Sequence, residues 1–111
     1  HSPGWLDAHI HFEDSGFTAD YRCSIMLNDF YPFVQQLNDL YQSLSGQAVF
    51  NTIEGNVLLT FSTDGLGHII IQGILRSPEG FRVETVFTAE TDQTALPGII
   101  NSCQDIISAY R

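Results

Sequence analysis

Lysine is missing from this 111-residue chain, and four arginines stand against thirteen aspartates and glutamates, for a formal net charge of −9. Nucleic-acid affinity comes largely from Lys and Arg displacing counterions, so a phosphate-backbone ligand is excluded. An anionic membrane surface is excluded on the same ground. No run approaches the ~20 apolar residues of a membrane span, and no signal peptide is visible. Cysteine is nearly as scarce. Cys23 and Cys103 are the two in the chain, and both fall on apolar stripes. That pattern reads as buried free thiols rather than a bridge, in a reducing compartment, and the expected location is the cytoplasm. No Pro-, Gly- or Ser-rich segment serves as a linker, so residues 1–111 read as a single domain. Within it, His1-Ser2-Pro3-Gly4 reads as a flexible, expression-derived or trimmed N-terminus, and a leader removed earlier stays open.

What is present suits a globular fold. Hydrophobic residues make up 43% and charged residues 15% of the chain, an ordinary folded composition. At this size about two thirds of the chain's surface can be buried, enough for a core without staples. The acidic field favours a basic protein as partner, whose encounter it would accelerate. The plainer reading of the same charge is solubility.

Residues 5–14 alternate: Leu6, Ala8, Ile10 and Phe12 on one side, Asp7, His9, His11 and Glu13 on the other, which predicts a half-buried strand. Ser15-Gly16 predicts a tight turn into a second strand, with Tyr21, Cys23, Ile25 and Leu27 inward. From Asn28 the period changes. Phe30, Phe33, Val34, Leu37, Leu40, Tyr41 and Leu44 recur at helical spacing, with Asn28 or Asp29 as cap, Pro32 in the first turn and Gly46 stopping the helix after Ser45. Four strands follow as a meander, over 47–53, 57–63, 68–76 and 81–91. Ile69, Ile71, Leu75, Phe81, Val83, Phe87 and Ala89 are expected to face inward there. Asp92-Gln93-Thr94 then caps a second helix carrying Leu96, Ile99, Ile100, Cys103, Ile107 and Tyr110. The expected fold is α+β, in order ββα-ββββ-α. It has a six-stranded, mainly antiparallel sheet with both helices packed on one face.

Signs of chemistry are few. His9, His11 and Glu13 share a strand face and are weak candidates for a metal, but the sequence supplies no definite further ligand, and an exposed face explains them as well. No serine sits in a Gly-x-Ser-x-Gly elbow, and neither cysteine has a base beside it. Asp64-Gly65-Leu66-Gly67-His68 has glycines like a phosphate loop, but it joins two strands and offers no lysine, so it reads as a hairpin turn. No catalytic residues and no cofactor are indicated.

Gly67-His68-Ile69 opening a long strand, the hydrophobic run from Phe81 to Ala89, and Asp92-Gln93-Thr94 before the last helix form a recognisable combination. Upstream come Phe33, Leu37 and Leu40, then Ser45-Gly46 and Ala48. The chain resembles the WapI-like family of bacterial immunity proteins, the small acidic partners of contact-dependent or polymorphic toxins, over about Trp5 to Tyr110. The resemblance implies a toxin domain, often basic, as partner, and a mode of action by covering it. The reading is therefore a non-enzymatic binding domain that neutralises a toxin. The alternative is a binding or assembly module without a toxin partner, with a homodimer open. The expected partner surface is the sheet face away from the helices, with Asp20, Glu84 and Glu90 around Ile70, Ile74 and Val86.

Overall fold

The alternation of the first segment becomes strand β1 (Trp5–Asp14) in the computed structural model, which describes residues 4–78, 80 and 83–111. Ser15 and Gly16 both take positive φ, 50° and 86°, the backbone twist a two-residue hairpin turn requires. The chain returns antiparallel as β2 (Phe17–Met26), pairing Leu6 with Ile25, Ala8 with Cys23, Ile10 with Tyr21 and Phe12 with Ala19. All eight belong to the core or pack against it.

A single 3-10 turn (Leu27–Asp29) leads into helix α1 (Phe30–Ser43). The expected side-chain cap is not made. The Phe30 N–H is satisfied within the 3-10 turn by the Leu27 carbonyl. Asp29 instead accepts the Ile53 N–H at 3.3 Å. The helix also ends two residues sooner than Ser45. Leu44 adopts a left-handed conformation (φ 51°, ψ 37°) and its N–H reaches the Leu40 carbonyl, so the reversal falls on leucine ahead of Gly46.

The meander follows as β3 (Gln47–Asn51), β4 (Val57–Thr63), β5 (His68–Arg76) and β6 (Glu84–Asp92), side by side in that order and all antiparallel. β3 stops short of Ile53 because Thr52 leaves the ladder: its N–H and hydroxyl both meet Val57 across the turn. Of the last strand's expected start, Phe81 and Arg82 lie outside the described residues. Val83 precedes β6 and is exposed rather than inward, and Ala89, though on the inner side of β6, is exposed as well.

The α+β class and the order ββα-ββββ-α hold, but the six strands form two sheets, β1-β2 and β3-β4-β5-β6. The hairpin joins the larger sheet through side chains rather than a ladder. Phe12 stacks on Phe87 with ring centroids 4.2 Å apart, and the Tyr21 hydroxyl donates to the Asn56 carbonyl at 2.6 Å. That carbonyl also accepts the Arg76 N–H at 3.0 Å, while the Asn56 amide donates to the Arg76 carbonyl. Periodicity dictates which face of a strand is apolar, and the hairpin's apolar face is satisfied equally by packing over a neighbouring layer.

Asp92 accepts the Thr94 N–H at 2.9 Å and also its hydroxyl, opening a 3-10 turn (Gln93–Ala95) that runs into helix α2 (Leu96–Tyr110). Pro97 falls in the first turn of α2, where its missing N–H costs nothing. Asp92→Ala is expected to lower the melting temperature by a few degrees without altering the fold, as scanning calorimetry would register. No change would mean that the 3-10 turn holds itself.

One continuous core results. The Phe33 ring sits 5.2 Å from that of Phe50 and 5.6 Å from that of Phe61, placing α1 on the face of β3 and β4. Leu96, Ile100, Cys103 and Ile107 bring α2 into the same cluster. Ile25, Phe33, Leu37, Leu40, Ile100 and Cys103 are buried, and Phe12, Ile71, Phe87 and Ile99 are half-buried against them. Residues of the opposite parity in the larger sheet, such as Leu58, Ile70 and Ile74, take no part in the cluster. Both helices therefore lie on one face, and the other face is left open among the described residues.

Candidate partner-binding site

Cross-strand register brings four polar side chains together on the outer face of the hairpin. His11 sits opposite Asp20, whose carboxylate reaches two rings: His9 Nε2 at 2.6 Å and His11 Nδ1 at 3.0 Å. Glu13 approaches the other side of His11, 3.4 Å from Nε2. A carboxylate at each ring nitrogen favours the protonated form of His11. The hydrogen bond to Asp20 raises its pKa above the ordinary histidine value, while those from His9 and His11 lower that of Asp20. Both ring nitrogens of His11 thus point at separate carboxylates rather than converging with His9 on one point, and the described residues contain no group of His, Cys, Asp or Glu arranged to hold a metal.

This cluster has a pH signature. A raised histidine contributes stability that is present at low pH and lost as pH rises through its folded pKa. A depressed aspartate contributes stability that is lost as pH falls through its own. The pairing is therefore strongest between the two titrations, in mildly acidic solution. By NMR, His11 should titrate above the ordinary histidine value, and Asp20→Asn should bring it back down. An unaltered midpoint in the variant would show that Asp20 does not hold the proton.

Other sequence candidates are occupied structurally. Cys23 and Cys103 are free and buried, and burial pushes both thiols up, away from the reactive thiolate. Burial also pushes the Tyr21 hydroxyl up to about 12. In the glycine loop, Asp64 itself takes the inward amides. Its Oδ1 accepts from Leu66 at 2.7 Å and from His68 at 3.3 Å, and its Oδ2 meets His68 Nδ1 at 2.6 Å. A loop whose amides are satisfied by its own aspartate is built as a turn.

The open face of the larger sheet gathers most of the expected partner-binding residues. Leu58, Ile74 and Val86 stand in one row across β4, β5 and β6, and Ile70 pairs with Glu90 further along. Glu84 lies opposite Arg76 and accepts from its Nε at 2.9 Å. Val86 is 68% exposed. Asp20 stands apart from the other five, on the hairpin. Periodicity did not point to Phe17, which is 73% exposed. It shares the inward parity of Ala19 and Tyr21, but the hairpin tip carries it past the core. There, with Phe12 and Asp14, it faces residues 84–88 across an open cavity of about 450 Å³.

An acidic, two-layered chain with an uncovered sheet face and inert thiols suits a binding protein. Residues 2–111 match the family model described as Immunity protein WapI-like family. The chain belongs to that family. No curated protein matches the sequence. As a member of the immunity protein WapI-like family, it acts through a protein partner, in a family that is generally non-enzymatic. Among the described residues, no helix is long and apolar enough to cross a membrane.

Proposed function

We propose that this protein neutralises a basic toxin domain in the cytoplasm by binding and covering it, with no chemistry of its own. The observation that carries the reading is the open sheet face. Its row of Leu58, Ile74 and Val86 is flanked by Glu84 and Glu90, on a chain of net charge −9. Apolar side chains flanked by acids provide what a steered interface needs: charge for fast encounter, desolvated anchors for residence.

The test is co-expression with candidate basic toxin domains from the native organism. Growth should be restored, and the purified pair should associate. Glu90→Lys should slow the on-rate and flatten its dependence on salt, with less effect on the off-rate. Glu90 is the better choice because reversing Glu84 would also break its pair with Arg76. Growth arrest in the presence of soluble, folded protein would refute the proposed role. An unchanged on-rate at low salt would remove Glu90 from the steering surface.

A further inference from the structure

β6 is a nine-residue strand at the end of its sheet, and no strand among the described residues pairs with its outer edge. Its backbone parity can be read from the bonds at either end. The Val83 carbonyl accepts from Ser77 at 2.9 Å, and the Gln93 N–H donates to Gly67 at 2.8 Å. Successive residues of a strand direct their backbone groups to alternate sides. Odd-numbered residues of β6 therefore turn theirs toward β5. Glu84, Val86, Thr88 and Glu90 turn their N–H and C=O groups outward. Sheet edges are ordinarily blunted by charged side chains, above all lysine, by proline or by a bulge. β6 has no proline, lysine or bulge, its charges are the acids Glu84, Glu90 and Asp92, and its register with β5 runs without a skip from His68–Asp92 to Arg76–Glu84.

The cavity beside this edge supplies the second observation. Residues 84–88 all border it. Five consecutive residues of a strand point alternately to opposite faces, so they can share one cavity only if it runs along the strand's free side. Phe12 and Phe17 from the hairpin, with Phe87, give the cavity aromatic walls. Asp14 gives it negative charge, and Glu84, paired with Arg76, stands at its end.

We propose that the outer edge of β6 is a docking rail for an extended, cationic segment of the partner, which adds to the larger sheet as a fifth strand. Alternate side chains of that segment would divide between the two faces of the sheet, apolar toward Phe12 and Phe17 in the cavity, Lys or Arg toward Glu84 and Glu90 on the open face. The rail from Glu84 to Glu90 accommodates about seven residues, roughly 20 Å of strand. A second copy of this chain is the poorer occupant. It brings another net charge of −9, and self-pairing centred on Thr88 sets Glu84 against Asp92, like charges directly opposed. The identity of the partner rests on the toxin-binding reading; the chemistry of the rail does not.

The experiment separates the two. The isotopically labelled full chain is titrated with a capped heptapeptide alternating lysine and valine, and with its glutamate counterpart. The lysine peptide should shift the Val86 and Thr88 amides and slow their exchange with solvent by about tenfold at saturation, leaving the Phe87 amide, already in the ladder, unchanged. The glutamate peptide should do neither. Val86→Pro should abolish peptide binding with the melting temperature nearly unmoved, because the lost N–H has no partner within the sheet. Equal binding of both peptides, or protection elsewhere in the chain, would overturn the proposal. So would a concentration-dependent dimer dissociated by Val86→Pro, which would assign the edge to a second copy. With the toxin domain as probe, wild-type binding that persists undiminished in Val86→Pro removes the rail and keeps the toxin reading. Lysine-peptide protection without any toxin binding keeps the rail and removes the toxin reading.

Discussion

Leu37→Ala should destabilise the fold by about 2–5 kcal/mol, the range for a buried leucine whose cavity is only partly filled by relaxation. Leu37 has no exposed surface. It lies mid-way along the buried stripe of α1, one turn after Phe33 and just before Leu40. The same buried stripe carries rings that cannot easily follow a receding side chain: Phe33 is pinned between Phe50 and Phe61, and Phe30 leans on Phe50 at 4.9 Å. Little collapse is available, so the cost should fall toward the upper part of the range. Urea titration should show a lower midpoint at unchanged slope. A loss under about 1 kcal/mol would mean that the packing of α1 on β3 and β4 is looser than these ring contacts require.

Gly73→Ala should be the second large effect, for the opposite reason. Gly73 lies opposite Phe87 across β5 and β6, and a Cβ built at Gly73 would stand 2.2 Å from the Phe87 Cε1 and Cζ atoms. The ring lies over the glycine, in space that any side chain would claim. It is also stacked on Phe12, so swinging away to admit a methyl group breaks the contact that seats the hairpin. Overpacking of this kind costs about 1–3 kcal/mol. In a Phe87→Ala background the same substitution should become nearly neutral, since the space is then free and alanine is the less costly strand residue. A double-mutant cycle by chemical denaturation measures the coupling. Strict additivity would show that ring and glycine do not compete for the same volume.

Much of this architecture was legible because periodicity encodes burial. β1, β4 and β5 begin and end where the alternation does, and the stripe of α1 reads directly as its buried face. Less legible were features set by contacts between distant segments. The division into two sheets depends on which edge the hairpin lies beside, and alternation does not encode edges. Asp29 carries a capping residue's chemistry, yet the 3-10 turn before it had already satisfied the local amide, leaving its carboxylate for Ile53. Gly73 interrupts an otherwise regular inward series, Ile69, Ile71 and Leu75, and that gap was the one sequence signal of the Phe87 ring above it. Among candidate site residues, Ile70, Ile74, Glu84, Val86 and Glu90 follow strand parity onto one face. Asp20 obeys the same parity on a different sheet, and its partners are His9 and His11.

The strand order has a kinetic consequence. Each ladder joins strands that are neighbours in the chain, so every hairpin can close through a short loop and none waits for a distant segment. Such local topologies fold quickly, because little loop entropy is spent before contacts repay it. The longer closures, such as the seating of Phe12 on Phe87, the Tyr21 bond to Asn56 and the return of α2 beside α1, join units whose ladders are already local. A protein whose work is to hold a partner is well served by a chain whose sheets assemble in the order they are synthesised.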